Sequence, residues 1–265
     1  MRFTVLASGS NGNCTLIESG KCRVLIDCGI STRRIVTALR DRGISPSSIT
    51  AILLTHEHAD HITGLEVFLK TYKIPVYSGA PTLEYLSMYA GLRPFLSLCR
   101  QICADDPFCF GELDIMPFTA HHDASSTLGF VLAGSGVKVG YVMDNSRYCS
   151  EITQHLRDCD ALLLESNFCR VGLRESSYPY YLQARISGPG GHASNQELSR
   201  WLEHDFDGKA EKVILGHLSG NSNKPEWAYD LAFNALDKRG YTPGSARGKM
   251  LTVLPKGGYT GWVEV

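Results

Sequence analysis

The segment His56-Glu57-His58-Ala59-Asp60-His61 puts three imidazoles and the Asp60 carboxylate within six residues, just after the apolar run Ile49 to Leu54. Imidazole nitrogen suits zinc, manganese and iron, and carboxylate adds charge neutralisation, so H-x-H followed by D-H can address two ions. His56 and His58, two apart, share a face while the chain stays extended. Asp60 and His61 fall past the turn, aimed at a second position. A polar loop can cluster histidines by accident, but H-x-H-x-D-H launched from a buried strand is a poor candidate for accident. The chemistry these residues imply is hydrolysis assisted by divalent metal.

The elements that must position them repeat one arrangement. Val24-Leu25-Ile26 stops at Asp27, Ile52-Leu53-Leu54 leads to His56, and the run Met116 to Phe118 leads to His121-His122. Val142-Met143 stops at Asp144, and Ile214-Leu215 leads to His217. Five apolar segments each deliver a potential ligand at the carboxyl end, and a rigid sheet edge is how layered folds fix ligand positions. Strands are expected at 3–7, 14–18, 23–27, 113–119, 128–132, 137–143, 161–164, 213–216 and 250–254, with a short one at Val76. Helices are expected over Ser31 to Arg42, Gly64 to Lys70 and Thr82 to Tyr89, and near 147–156, 195–203 and 226–238. Ser31 or Thr32 starts the first helix and Gly43 closes it, while Ser194-x-x-Glu197 is a capping box. Its arginines, Arg33, Arg34, Arg40 and Arg42, read as a solvated face. The stretch from Tyr89 to Phe110 reads as irregular. Strands followed by helices in both halves, with no linker or tandem repeat, argue a layered α/β fold and a single domain over residues 1–265.

Composition narrows the class. Of 265 residues, 43% are hydrophobic and 20% charged, so neither disorder nor a membrane span is suggested. Met1 to Leu6 enters a strand at once, without the layout of a signal peptide, which leads to the expectation of a cytoplasmic protein. Nine cysteines, with no C-x-x-C pair, are expected to be reduced. A net charge of −1 gives no bulk attraction for nucleic acid, so a phosphate substrate must be held locally. The loop Ser8-Gly9-Ser10-Asn11-Gly12-Asn13 can present amides to an anion, or be an ordinary hairpin connection.

Taken together these residues resemble the metallo-β-lactamase superfamily, whose motifs run Asp, H-x-H-x-D-H, His, Asp and His along a four-layer αββα sandwich. Leu6 to Cys14, His122-Asp123-Ala124, Leu164-Glu165-Ser166-Asn167, Tyr178-Pro179, Gly191-His192-Ala193-Ser194-Asn195 and His217-Leu218-Ser219 are similar to the YycJ (WalJ) branch of DNA-processing, exonuclease-like proteins. The resemblance implies that His56, His58 and His122 hold one metal, that Asp60, His61 and His217 hold the other, and that Asp144 bridges them. His122 is chosen over His121 because it matches the branch's H-D-A. Asp27 then orients the ligand loop. His192 lies in a segment similar to a phosphate-contacting loop of β-CASP nucleases, as a phosphate contact or leaving-group acid, or else a structural residue at a helix start. The 24 residues between Asn167 and His192 leave no room for a β-CASP insertion. Phe168-Cys169 stands where the branch has His-Asp, Met143-Asp144-Asn145-Ser146 replaces Thr-Asp-Thr-Gly, and Thr127 replaces a Pro.

The implied activity is phosphodiester hydrolysis by a hydroxide shared between two ions, zinc, manganese or iron, with Asp60, Asp144 and His192 at the reacting centre. Nucleic acid, DNA before RNA, is the expected partner, and no membrane. Ser8, Ser10, Asn11, His192, Ser194 and Asn195 are expected to contact substrate. Arg170, Arg174 or Arg185 would hold its backbone, and Tyr178, Tyr180 and Tyr181 either stack on bases or pack a surface loop. The same dinuclear centre also suits a small ester, lactone, thioester or cyclic phosphate, and a metal-stabilised binding protein is the third reading.

Overall fold

Hydrophobic residues on both faces of the same short strands require cover on two sides, and the computed structural model, which describes residues 1–245 and 248–265, supplies it with two facing sheets and outer helices. In chain order the strands are β1 (Arg2–Ala7), β2 (Cys14–Ser19), β3 (Cys22–Ile26), β4 (Ala51–Leu53), β5 (Val76–Ser78), β6 (Cys99–Gln101) and β7 (Phe108–Phe110). They continue with β8 (Leu113–Thr119), β9 (Leu128–Gly134), β10 (Val137–Val142), β11 (Ala161–Glu165), β12 (Lys212–Gly216), β13 (Met250–Val253) and β14 (Val263–Glu264). The helices are α1 (Thr32–Arg40), α2 (Ala59–Ile62), α3 (Leu65–Tyr72), α4 (Ala80–Met88), α5 (Ser150–Leu156), α6 (Arg170–Arg174), α7 (Tyr180–Ser187), α8 (Asn195–His204) and α9 (Pro225–Lys238).

One seven-stranded sheet runs β14-β1-β2-β3-β4-β5-β6 and the other β13-β12-β11-β10-β9-β8-β7. Each is antiparallel on one side and parallel on the other, the change falling at β3 in the first and β10 in the second. Side-chain alternation sorts the core into three layers. Val24, Ile26 and Leu53 meet Leu163, Val139 and Ile214 between the sheets. Leu25 and Ile52 face α1 and α3 through Ile35, Leu39 and Phe68. Leu162, Leu164, Val213 and Leu215 face α5, α8 and α9 through Ile152, Trp201 and Ala232. This is the αββα sandwich.

Local signals explain the helices. The Ser31 hydroxyl accepts from the Arg34 amide, Ile35 and Leu39 share the buried stripe, and Gly43 follows in the left-handed region at φ 73°. The Ser194 hydroxyl accepts from the Glu197 amide, and Leu198, Trp201 and Leu202 bury at helical spacing. Where the sequence reads as irregular the structure has β6, β7 and a 3-10 turn over Arg93–Leu98, and Tyr180 and Tyr181, one reading of which is a surface loop, open the helix α7. Opposite the ligand-bearing strand ends, the hairpins that lead into β3 and β10 close in tight turns. The turn between β2 and β3 passes through Gly20 at φ 53° and that between β9 and β10 through Gly136 at φ 79°. The Ser19 and Ser135 hydroxyls there lie 3.3 Å apart. No described helix is long and apolar enough to cross a membrane.

Candidate metal centre

Strand ends from both sheets converge on one rim. β3 delivers Asp27, β4 delivers His56 and His58, β10 delivers Asp144 and β12 delivers His217. His122 follows β8. Asp60 and His61 fall past the turn on the single helical turn of α2, which His58 precedes. Three of the strand-end residues are left-handed, Asp27 at φ 62°, Asp144 at 53° and His217 at 56°. Such a conformation costs a non-glycine residue about 1–3 kcal/mol, so the surrounding contacts must hold it.

The donor atoms fall into overlapping groups. His56, His58 and His122 form one, Asp60, His61 and His217 another, and Asp144 joins His56 and His61 in a third, all donors of a group lying within 4.8 Å of one another. His121, by contrast, turns toward the Cys149 thiol at 3.4 Å, outside the cluster. The deep side of the centre is His56, His61, His122, Asp144 and His217, while the His58, Asp60 and His192 side chains keep 30%, 23% and 20% of their surface exposed and form its open face.

Protein acceptors occupy one nitrogen of each deep imidazole and so choose its tautomer. His61 Nδ1 lies 2.7 Å from Asp27 Oδ2, His56 Nδ1 3.0 Å from the Thr55 hydroxyl, and His122 Nδ1 2.9 Å from the Gly191 carbonyl. Asp27 Oδ1 in turn accepts from the Thr55 amide at 2.8 Å, so that strand end is clamped to the ligand loop. The remaining nitrogens point into the cluster. His56 Nε2 and Asp144 Oδ2 are buried with no hydrogen-bond partner, although His61 Nε2 approaches that same oxygen at 2.8 Å. Without a cation a proton on His61 Nε2 can bridge that gap; once His61 serves as a metal ligand, with its one proton on Nδ1, two lone pairs face each other there. Buried polar atoms left this way are costly, and a cation is what they lack.

Charge divides the imidazoles. Burial, reinforced by the neighbouring His61, holds His56 well below the usual histidine range. Burial opposes protonation of His217 too, but Asp144, Asp60 and Glu165 outweigh it and lift the ring to about 10. His61 is raised in the same way by Asp27 and Asp144. A metal therefore meets a neutral His56 on one side and must displace protons from His61 and His217 on the other.

Glu165, at the end of β11, is the principal residue that sequence reading left without a role. Its Oε1 accepts from His192 Nδ1 and His217 Nδ1, both at 2.8 Å, and its Oε2 from the amides of Asn145 at 2.8 Å and Ala193 at 3.1 Å. Burial alone would raise this carboxyl; the His192 and His217 rings bring it to about 2. The signal was present, since Leu162-Leu163-Leu164 ends in an acid as the other strands end in theirs. Glu57 faces away from the cluster and accepts from the Ser125 amide, bracing the loop that carries His122. The Asn13 amide sits 3.0 Å from His61 Nε2, and the Asn167 amide donates to the His217 carbonyl.

The expected substrate contacts divide. Ser10 and Asn11 are exposed. Ser8 is not: it is 3% exposed and its hydroxyl accepts from the His217 amide. Ser194 is spent on the helix cap, and Asn195 is buried against Ser166 and Asn223. Those three side chains build the site instead of facing a substrate. Arg185 is likewise engaged, its guanidinium forked onto Asp123 at 2.6 and 3.2 Å. Lys256, unremarked in the sequence, packs across Gly9 and Gly220 beside the Ser8 to Asn13 loop.

Comparison with known proteins agrees with this layout. The family model of the metallo-β-lactamase superfamily matches residues 7–217. Exodeoxyribonuclease YycJ of Bacillus anthracis is 26% identical over 250 residues, 93% of each chain. Exodeoxyribonuclease WalJ of Streptococcus pneumoniae is 29% identical over 236 residues, 89% of this chain and 88% of that one. Among solved structures, the metallo-β-lactamase fold protein YhfI of Bacillus subtilis superposes with a TM-score of 0.68 at 18% identity, covering 98% of this chain and 99% of that one.

Proposed function

The chain belongs to the metallo-β-lactamase superfamily, and on that premise we propose that it is a two-metal phosphodiesterase that degrades DNA from an end, in the 5′ to 3′ direction. Two relatives matched over about nine-tenths of their length carry the name exodeoxyribonuclease, which supports this choice of substrate. His56, His58 and His122 would hold one divalent ion, zinc, manganese or iron, and Asp60, His61 and His217 the other, with Asp144 reaching both. The orphaned His56 and Asp144 atoms and the converging nitrogens fit such ions. Cations bound there supply Lewis acidity, activate water and offset phosphoryl charge. Because the ligands come from both sheets, residues 1–265 act as one unit. The nine cysteines are unpaired, which suits a reducing cytoplasm.

The observation that carries the phosphodiester reading is His192. Its Nδ1 is held by Glu165, its ring borders a cleft on the open face, and although burial opposes the charge, Glu165 and Asp144 raise it above the ordinary histidine range. A protonated imidazole at that point can give its Nε2 proton to the departing sugar oxygen, a step worth about 10²–10⁴ in rate. Asp27, Thr55, Glu165 and the Gly191 carbonyl keep the other rings aimed.

The test compares end-labelled DNA with a nitrophenyl phosphodiester, using protein loaded with the metal found on purification. His192→Gln is expected to lose about 10²–10⁴ in rate on DNA and far less on the nitrophenyl compound, whose leaving group needs no proton. Turnover of the small diester with no cleavage of DNA would move the chain to the small-substrate hydrolases. No turnover of either, with metal bound, would leave a binding protein.

A further inference from the structure

The cleft bordering His192 carries Arg147, Arg170 and Arg174 and belongs to the centre already described. A second basic depression shares no residue with it. Arg33, Arg34 and Arg42 line it with a single carboxylate, Asp41, over the buried side chains of Leu6 and Ile30 and beside the exposed ring of Tyr259. We propose that this depression is an exosite for the phosphodiester backbone of DNA, gripping the substrate away from the reacting phosphate. The proposal rests on the phosphodiesterase reading and adds to it a second point of attachment, which hydrolysis at the metals does not itself require.

Charge is the first support. The chain as a whole is balanced, with 26 basic and 27 acidic side chains, yet here three guanidiniums face one carboxylate. Among the described residues none of the three is in ion-pair reach of any carboxylate, whereas Arg2, Arg23 and Arg185 each find one. Arg33 and Arg34 are exposed in the first turn of α1, and that turn holds no acidic residue to offset them. Guanidinium forks left uncompensated in this way suit phosphate oxygens. Arg40, on the same helix, lies outside the depression and keeps to the solvated face that the sequence suggests for all four.

Placement is the second. α1 follows the carboxyl end of β3, so its first turn stands on the same rim as Asp27. The Ser8 to Asn13 loop touches both the depression and the centre, because Gly12 packs on Ile30 while the Asn13 side-chain amide sits 3.0 Å from His61 Nε2. Lys256, exposed and lying along Gly9, extends the positive surface toward that loop. A backbone resting on the arginines therefore passes the exposed Ser10 and Asn11 on its way to the ions.

The third is that the depression is built in advance. Arg42 Nε donates to the Thr4 hydroxyl at 3.0 Å, and its Nη1 and Nη2 donate to the Ala38 and Thr260 carbonyls at 2.9 and 2.6 Å. The strap that carries Tyr259 is tied to β1 and its loop, the Thr260 amide donating to the Val5 carbonyl at 2.9 Å and the Gly257 amide to the Ser8 carbonyl at 2.7 Å. The Ser8 hydroxyl accepts from the His217 amide, so strap and metal ligand share one anchor. Groups fixed before binding spare the ordering cost that loose side chains incur.

Fluorescence anisotropy on metal-loaded protein tests this, with a long phosphorothioate DNA duplex as the probe over a range of salt. Arg34→Glu is expected to lower affinity about tenfold and the salt slope by about one, and Arg33→Glu with Arg34→Glu to lower affinity about 100-fold. Arg40→Glu makes the same change of net charge as Arg34→Glu and should stay within about twofold of the parent. Asp41→Asn removes the opposing charge and should tighten binding about threefold. All four side chains are exposed, and thermal melts matching the parent will confirm folding. A parent that does not bind the probe, Arg40→Glu as damaging as Arg34→Glu, or the double reversal without effect overturns the exosite. So does a loss of nitrophenyl phosphodiester turnover equal to the loss on DNA, since that compound is too small to reach α1. DNA cut by the parent and by the double variant alike sinks the exosite alone, whereas DNA bound through Arg33 and Arg34 but never cut sinks the phosphodiesterase reading alone.

Discussion

Glu165→Gln keeps the shape of the side chain and removes its charge, and the four donors that converge on the carboxylate leave the amide no good orientation. With its NH₂ toward the imidazoles it faces His192 Nδ1 and His217 Nδ1, which now sit 2.8 Å from Oε1. Those rings must then give up the Nδ1 proton and keep theirs on Nε2, and His217 can no longer offer that nitrogen to a metal. With its NH₂ toward the other side it opposes the amides of Asn145 and Ala193, which cannot change tautomer. Two buried amides without acceptors cost about 1–3 kcal/mol each. The cheaper arrangement wins, so the metal-free protein should lose about 2–4 kcal/mol, a melting temperature lower by roughly 5–15 °C. Affinity for the ion assigned to Asp60, His61 and His217 should fall about 10- to 100-fold. Calorimetric melts in chelator, and zinc titration against a chromophoric competitor, read the two effects separately. A variant that melts within about 1 °C of the parent and takes up two ions with undiminished affinity would refute the role given to Glu165.

Stripping the metal should lower the melting temperature, and returning zinc in weak buffer near neutrality should release protons, since His61 and His217 are raised by their carboxylates; a titration without proton release contradicts that ligand assignment. Burial opposes charge on Glu18, yet Arg23 and Arg2, each within 2.6 Å, hold its carboxyl below the ordinary range. A depressed carboxyl stabilises the fold above its unfolded value of about 4.3 and loses that stabilisation as pH falls toward the folded value. Glu18→Gln should therefore lower stability at neutral pH and converge with the parent in acid, as urea melts across that window will show. Leu163→Ala, between the sheets, should cost about 2–5 kcal/mol in the same melts. Arg185→Ala, whose side chain is 59% exposed, should cost less than about 1 kcal/mol but speed amide exchange across Tyr180–Ser187.

Much of the centre was legible because strand ends announce themselves: an apolar run stopping at Asp27, His56, Asp144 or His217 is a local pattern that a sheet edge turns into convergence. Glu165 carries the same mark, yet a carboxylate whose duty is to hold His192 and His217 differs from a ligand only by what lies across from it. That juxtaposition joins residues 27 to 52 positions apart and has no sequence period. The left-handed turns at Asp27, Asp144 and His217 were hidden for another reason, since φ is imposed by tertiary contacts on residues that do not prefer it. β6, β7 and β14 are two or three residues long, too short for alternation to register, and gain their strand character from the neighbours they pair with. In the sequence Ser8, Ser194 and Asn195 look like substrate contacts because polar residues beside a centre look alike until burial separates wall from lining.

The tight turns through Gly20 and Gly136 give the molecule a plain end as well as a working one. An affinity tag, fluorophore or surface linker attached at that plain end points the working end outward, free of the attachment. The same polarity bears on descent: loops at the working end can lengthen, shrink or be exchanged for new substrates while the plain end keeps the two sheets in register, so diversification in such a scaffold is expected to be one-sided.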